Sequence, residues 1–162
     1  MQPSSHHLPG YRLKRFPCRH RRLKMGLLYL AFWRNKQEVR LFVFTEDGVN
    51  EYLPHGHELK KVADGDHRDL VAARQDFVKS APVSLVLVMD MDKFGGTEPR
   101  QISMATVDAG IVCENISVAA AGLGLAARPR GSMNSDAIKE LLGLNVNQIP
   151  IMNNVIGYPL GK

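Results

Sequence analysis

The last third of the chain contains, in order, Asp108-Ala-Gly-Ile-Val-Cys-Glu-Asn115, Ala121-Gly-Leu-Gly-Leu125, Arg128-Pro-Arg-Gly131, Lys139-Glu-Leu-Leu-Gly-Leu144 and Gly157-Tyr-Pro159. Small residues (Ala105, Ala109, Gly110, Ala119 to Gly122) are scattered round a helix expected over roughly Ile102 to Leu123, so a neighbouring helix or a cofactor can approach its backbone closely. Low polarity on every side predicts a buried core helix. Asp108, Glu114 and Asn115 interrupt it and, if buried, need hydrogen-bond partners, which structural pairing would provide. Cys113 reads as a small core residue, since no basic or histidine neighbour is at hand to activate it. The chain then passes through a predicted loop, Arg128-Pro-Arg-Gly-Ser132. A short helix over Asp136 to Leu142 follows, capped by Asn134 or Ser135 and stopped by Gly143. Ile149 to Ile156 reads as a last extended segment.

Upstream, Val39 to Phe44 has the β-branched and aromatic content of a strand, Asp47-Gly48 signals a hairpin turn, and Val49 to Leu53 is the return strand. His55 and His57 fall in the next turn, before an extended piece near Leu59 to Val62; with no third ligand in view, no metal site is expected. Asp66 is placed to cap a helix running to about Val78, with Leu70, Val71, Phe77 and Val78 on one face. Pro82 stops it. Val83 to Val88 is a continuous apolar run, as in a strand at the middle of a sheet. Asp90 and Asp92 follow it and are expected to be solvated loop carboxylates, and residues 94–100 read as a Gly/Pro loop.

With 162 residues and 44% hydrophobic content the chain suits one packed domain. The net charge of +5 is unevenly spread. Residues 1–34 hold eight of the 21 basic side chains and no acidic one, leaving 13 basic against all 16 acidic residues in the body. Such an arm suits phosphate contacts or an organellar presequence, and equally a solvated tail or a stretch translated out of frame. The preferred division is 1–34, a basic segment that is disordered or non-native, and 35–162, the folded domain; nucleic-acid binding is not expected. No apolar run reaches the length of a membrane span and the first thirty residues lack a secretory apolar centre, which points to a soluble cytoplasmic protein. Cys18 and Cys113 are far apart, without a CxxC, so neither a disulfide framework nor a cysteine zinc site is supported.

There is no GxGxxG, no GxxxxGK[ST], no GxSxG, and no histidine beyond His67. Dinucleotide folds, P-loops and hydrolase triads are therefore unsupported. A redox enzyme whose bound flavin carries the chemistry needs none of these, because the protein then supplies orientation, hydrogen bonds and charge.

Together with Asn35-Lys-Gln-Glu38, Gly65-Asp-His-Arg68, Gln75-Asp-Phe-Val78 and Ala81-Pro-Val83, the C-terminal motifs resemble the nitroreductase family of flavin enzymes, near short bacterial members of its thiazole/oxazole-forming dehydrogenase branch. The resemblance covers about residues 35–162. It implies an α+β sandwich with a central, mostly antiparallel sheet and packed helices. It also implies a homodimer with FMN at the subunit interface, and ping-pong transfer from NAD(P)H through the flavin to a nitro, quinone or other small acceptor. Asn35 and Gln37 match the family's Asn-x-Gln segment, whose amides bond the flavin. Arg128, Pro129, Arg130 and Gly131 match the loop over the isoalloxazine, where a backbone N–H stabilises charge on reduction. Lys162 stands where the family often places a cation for the FMN phosphate. No side chain is expected to be catalytic in its own right and no metal is implied.

The chain departs from the family at its start. Arg21-Arg22-Leu-Lys stands in place of Arg-Arg-Ser-x-Arg, and Ala31-Phe-Trp-Arg34 in place of a Pro-Ser pair. The alternative is a non-catalytic remnant that keeps the fold and binds no flavin.

Overall fold

The computed structural model describes residues 36–159; the basic segment 1–34, Asn35 and Lys162 lie outside them. The chain order is β1 (Val39–Thr45), β2 (Gly48–Leu53), β3 (Glu58–Asp64), α1 (Arg68–Ala72), a 3-10 turn (Asp76–Val78), β4 (Val83–Asp90), α2 (Met91–Phe94), α3 (Pro99–Gly122), β5 (Ala126–Arg130), α4 (Ser135–Leu141) and β6 (Gln148–Gly157). The strands form one sheet in the order β3-β2-β1-β4-β6-β5, antiparallel at every pairing. This is an α+β fold, as the resemblance implies.

Side-chain alternation sorts the core into two layers. Leu41, Leu87 and Met89 face α3 and pack with Ala105, Ala109, Val112, Cys113 and Ile116. Phe42, Phe44, Val86 and Val88 face the other way, onto Val71, Val78, Ile138 and Leu142. A bulge between Leu87 and Val88 sets Pro150 of β6 opposite Val88, where the ladder is already interrupted and a missing N–H does least harm.

The Asp47-Gly48 hairpin, the β4 run and the cap of α4 stand where the sequence places them. Asn134 Oδ1 accepts from the Ala137 N–H, and Gly143 (φ +61°) ends α4 with paired bonds from Gly143 N to Glu140 O and Leu144 N to Lys139 O. α3 begins at Pro99, earlier than expected, because Glu98 and Gln101 cap each other reciprocally and Pro99 takes the first helical position.

Four expectations need correction. The helix over residues 66–78 is two short pieces, broken at Ala73 (φ +52°). The Arg130 guanidinium donates to the carbonyls of Val71 (3.0 Å) and Ala72 (3.3 Å), capturing acceptors that a continuing helix would need. Residues 128–130 are an edge strand and not a loop, since an unpaired edge tolerates Pro129. Asp90 is buried: its carboxylate takes the Lys93 N–H and the Gln148 amide, capping α2. Finally, α3 is not enclosed all round. Val107, Ile111 and Val118 are 55%, 43% and 57% exposed on its outer side. By length and composition α3 could cross a membrane, as core helices of folded domains also can; its opposite face lies on the sheet, which makes it a core helix.

Candidate functional site

Gln37 is half-buried just before β1, with a left-handed backbone (φ +53°) that is uncommon for a residue bearing a side chain. It lines a cleft of about 370 Å³ whose floor is Val39, Leu41 and Leu53 and whose rim includes Tyr52, His55 and Lys93. Across the cleft wall Arg40 and Glu51 form an ion pair at 2.8 Å. The Tyr52 hydroxyl lies 2.7 Å from His57 Nδ1, so His57 is engaged with the hairpin it belongs to. Among the described residues no three His, Cys, Asp or Glu side chains gather where they could hold a metal ion.

The second predicted segment lies on β5. Arg128 is exposed and its guanidinium sits 4.8 Å from the centre of the Phe77 ring, a cation–π arrangement. Pro129 is exposed, and Gly131 just beyond the strand faces open space, since a Cβ there would meet nothing within 4 Å. Arg130 points inward. It is 7% exposed and gives hydrogen bonds to Gln75 Oε1 (2.9 Å), Asn153 Oδ1 (2.9 Å), Val71 O and Ala72 O. Burial, with the Arg128 charge second, pulls its guanidinium below the usual arginine value.

Gln37 and Gly131 are not brought together within the chain. β4 and β6 lie between β1 and β5, a separation of three strand spacings or about 14 Å. The chain therefore carries the two predicted segments at different places on its surface.

Some polar residues at the sheet carry no motif in the sequence. Asn153 accepts from Arg130 and donates to Ser132 O, stitching β6 to β5 and the turn after it. Asn154 donates to Cys113 O at 2.7 Å, locking β6 to α3. Glu38, which belongs to the Asn35-to-Glu38 motif, is wholly buried beside Asp108 of α3. The paired asparagines in the β6 run were the available signal, because amides in an otherwise apolar strand must find partners. Cys113 is a core residue, as its sequence surroundings imply, and burial, then the Glu114 charge, pushes its thiol up to about 11.

The model of the nitroreductase family matches residues 27–158. Protein MJ1384 of Methanocaldococcus jannaschii, a candidate nitroreductase, is 27% identical over 126 residues, which are 74% of this chain and 61% of that protein. A crystal structure of a candidate nitroreductase from Ralstonia eutropha JMP134 superposes with a TM-score of 0.72 at 27% identity, covering 81% of this chain and 62% of the other. The fold also recurs, at 17% identity and a TM-score of 0.70, in the Escherichia coli microcin synthetase McbBCD complex, over 83% of this chain and 62% of that one. The chain thus spans about three-fifths of the length of these relatives. With the match running through the sheet, α3 and the segments around Gln37 and Gly131, the chain belongs to the nitroreductase family.

Proposed function

We propose that this chain is an FMN-dependent NAD(P)H oxidoreductase of nitroreductase type, working as a homodimer in the cytoplasm and reducing a nitro, quinone or other small acceptor by a ping-pong course. The observation that carries this reading is the division of the site. Gln37 and the 128–131 segment belong to strands three spacings, about 14 Å, apart in the sheet, while α3 presents an exposed apolar face. A second copy docked on that face can bring one chain's Gln37 half toward the other's Gly131 half.

The described residues fit the flavin ring better than its phosphate. Gln37 offers an amide at the mouth of a cleft, and the open space at Gly131 lets a flat ring reach the backbone there. Arg130 is committed to four internal acceptors and is a positioning residue, holding β5 in place. The phosphate is assigned to Lys162; Arg128 and Pro129 stay with Gly131 in the segment over the ring, and Asn35 joins Gln37 there. Bound FMN would supply the redox chemistry, carrying reducing equivalents from NAD(P)H to the acceptor. The chain's part is to orient the ring through the Gln37 amide, to offer the Gly131 N–H to the ring edge, and to exclude water between α3 and its partner. No side chain is assigned a covalent role.

A second reading, a family remnant without flavin, is favoured by the internal commitment of Arg130 and by Arg21-Arg22-Leu-Lys at the family's arginine motif. Titrating apoprotein with FMN separates the two. Saturable quenching of flavin fluorescence, weakened by Gln37→Ala and unchanged by Lys60→Ala on the exposed β3, supports the enzyme. No quenching at high micromolar protein leaves the remnant.

A further inference from the structure

α3 does not cover its side of the sheet evenly. It packs mainly on β4, β5 and β6 and meets β1 less. Beyond it, Val39 and Leu41 of β1 and Tyr52 of β2, the register partner of Leu41, carry the same apolar layer on to the cleft of about 370 Å³ that Gln37 borders. An apolar floor of this kind favours an apolar cover.

The chain holds a matching segment beside it. Leu27-Leu-Tyr-Leu-Ala-Phe-Trp33 is a run without a charged side chain, between Lys24 and Arg34. The run lies outside the described residues, but the place where it joins them does not. Arg34, Asn35 and Lys36 are all that separate Trp33 from Gln37, so even a fully extended connection keeps Trp33 within roughly 13 Å of the cleft border. So short a tether gives the run an effective concentration on the order of millimolar at the cleft, an advantage that a second copy at micromolar concentration lacks. Gln37 has a left-handed backbone (φ +53°), so the chain before it does not continue the line of β1, and such a turn persists only where its surroundings hold it. Lys36 keeps the chain close: its Nζ lies 3.6 Å from where a Cβ on Gly95 would stand, at the end of α2, whose Lys93 lines the cleft. The family match, moreover, begins at residue 27, the first of the apolar run, and leaves the basic stretch before it out.

We propose that Leu27 to Trp33 is the cover of this cleft: Phe32 and Trp33 lie on Val39, Leu41 and Leu53, and the packed run holds the turn at Gln37 with its amide at the rim. Aromatic side chains suit the role, since each buries roughly 150–250 Å². The folded domain then starts at about Leu27 rather than Asn35, and the basic residues up to Lys24 stay outside it. The assignment goes beyond the flavin reading and does not rest on it.

The test uses the full chain without FMN, so a protein unable to bind flavin still decides the matter. Trp33 is the single tryptophan, which makes its signals unambiguous. Nuclear Overhauser contacts from its indole to the Leu41 and Leu53 methyls are expected, with emission blue-shifted from that of the urea-unfolded chain and acrylamide quenching several-fold weaker. Leu53→Glu, which puts a charge on the floor, should shift the emission to the red and raise the quenching, whereas Val118→Glu on the outer face of α3 should change neither. An indole as open to acrylamide in the folded chain as in urea overturns the proposal. So do indole contacts to Val107, Ile111 or Val118 in place of the cleft, and contacts seen only between differently labelled copies in a mixed sample, which would seat one copy's run on another. If Leu53→Glu does not fold, the wild-type contacts decide the question by themselves.

Discussion

Arg130 donates to Asn153 Oδ1 at 2.9 Å across the last pairing of the sheet, and the same guanidinium reaches Gln75, Val71 and Ala72 on the helical layer below. One side chain thus ties the edge strand β5 both to β6 and to the broken helix. Replacing Arg130 with Ala removes the guanidinium from the Val71 carbonyl and Asn153 Oδ1, while the Ala72 carbonyl keeps the Gln75 N–H, at a cost of about 3 kcal/mol, within the range for breaking buried charged networks. Urea denaturation should show the loss as a lower midpoint with an unchanged slope. A midpoint within experimental error of wild type would contradict the positioning role of Arg130.

Gly48 opens β2 with φ +149°, and a Cβ there would run into the carbonyl oxygen of Ala63 on β3. Gly48→Ala must strain the backbone or push β3 away at the β2–β3 bulge. The expected cost is about 2 kcal/mol, from an incompatible backbone and a backbone clash together. Amide exchange should accelerate in β3 more than in the central β4. An unchanged exchange pattern and unchanged stability would show that the hairpin absorbs the added carbon.

The elements that could be read along the chain are those whose signal is local. The hairpin at Asp47-Gly48 and the apolar β4 need only near neighbours to declare themselves, and so do the Asn134 and Gly143 caps. The break at Ala73 was hidden because its cause, Arg130, lies 58 residues from Ala72. β5 was hidden because Arg-Pro-Arg suits a loop, and only its place at the sheet edge makes it a strand. The burial of Glu38 runs against what its charge suggests beside polar neighbours. The motif order pointed to the family, whereas the strand order 1-4-6-5, which separates Gln37 from Gly131, has no signature in any one segment.

Cys113 should be inert in the folded protein. Alkylation needs the thiolate, and a thiol held at about 11 is ionised roughly once in a thousand at pH 8. Iodoacetamide at that pH should leave the peptide containing Cys113 unmodified in native protein and alkylate it fully in denaturant. Native modification at the rate of a free thiol would show that α3 lifts away from β6, breaking the bond from Asn154 to Cys113 O.

The outer face of α3 gives the prediction that bears most directly on function. Val107, Ile111 and Val118 recur at helical spacing on one side of a 24-residue helix. Exposed apolar residues at this spacing, with Glu114 between Ile111 and Val118, suit an interface, and in a self-associating chain the same face serves both copies. Light scattering should give a dimer mass for the wild type at micromolar concentration. Val118→Glu, which leaves the sheet-facing side of α3 intact, should give a folded monomer, because two carboxylates would be driven into one apolar contact. If the two half-sites meet across this face, the monomer should lose FMN binding by at least tenfold, about 1.4 kcal/mol, while its melting temperature changes far less. A Val118→Glu protein that is monomeric yet binds FMN as well as wild type would place the whole flavin site on one chain and reject the shared-site reading.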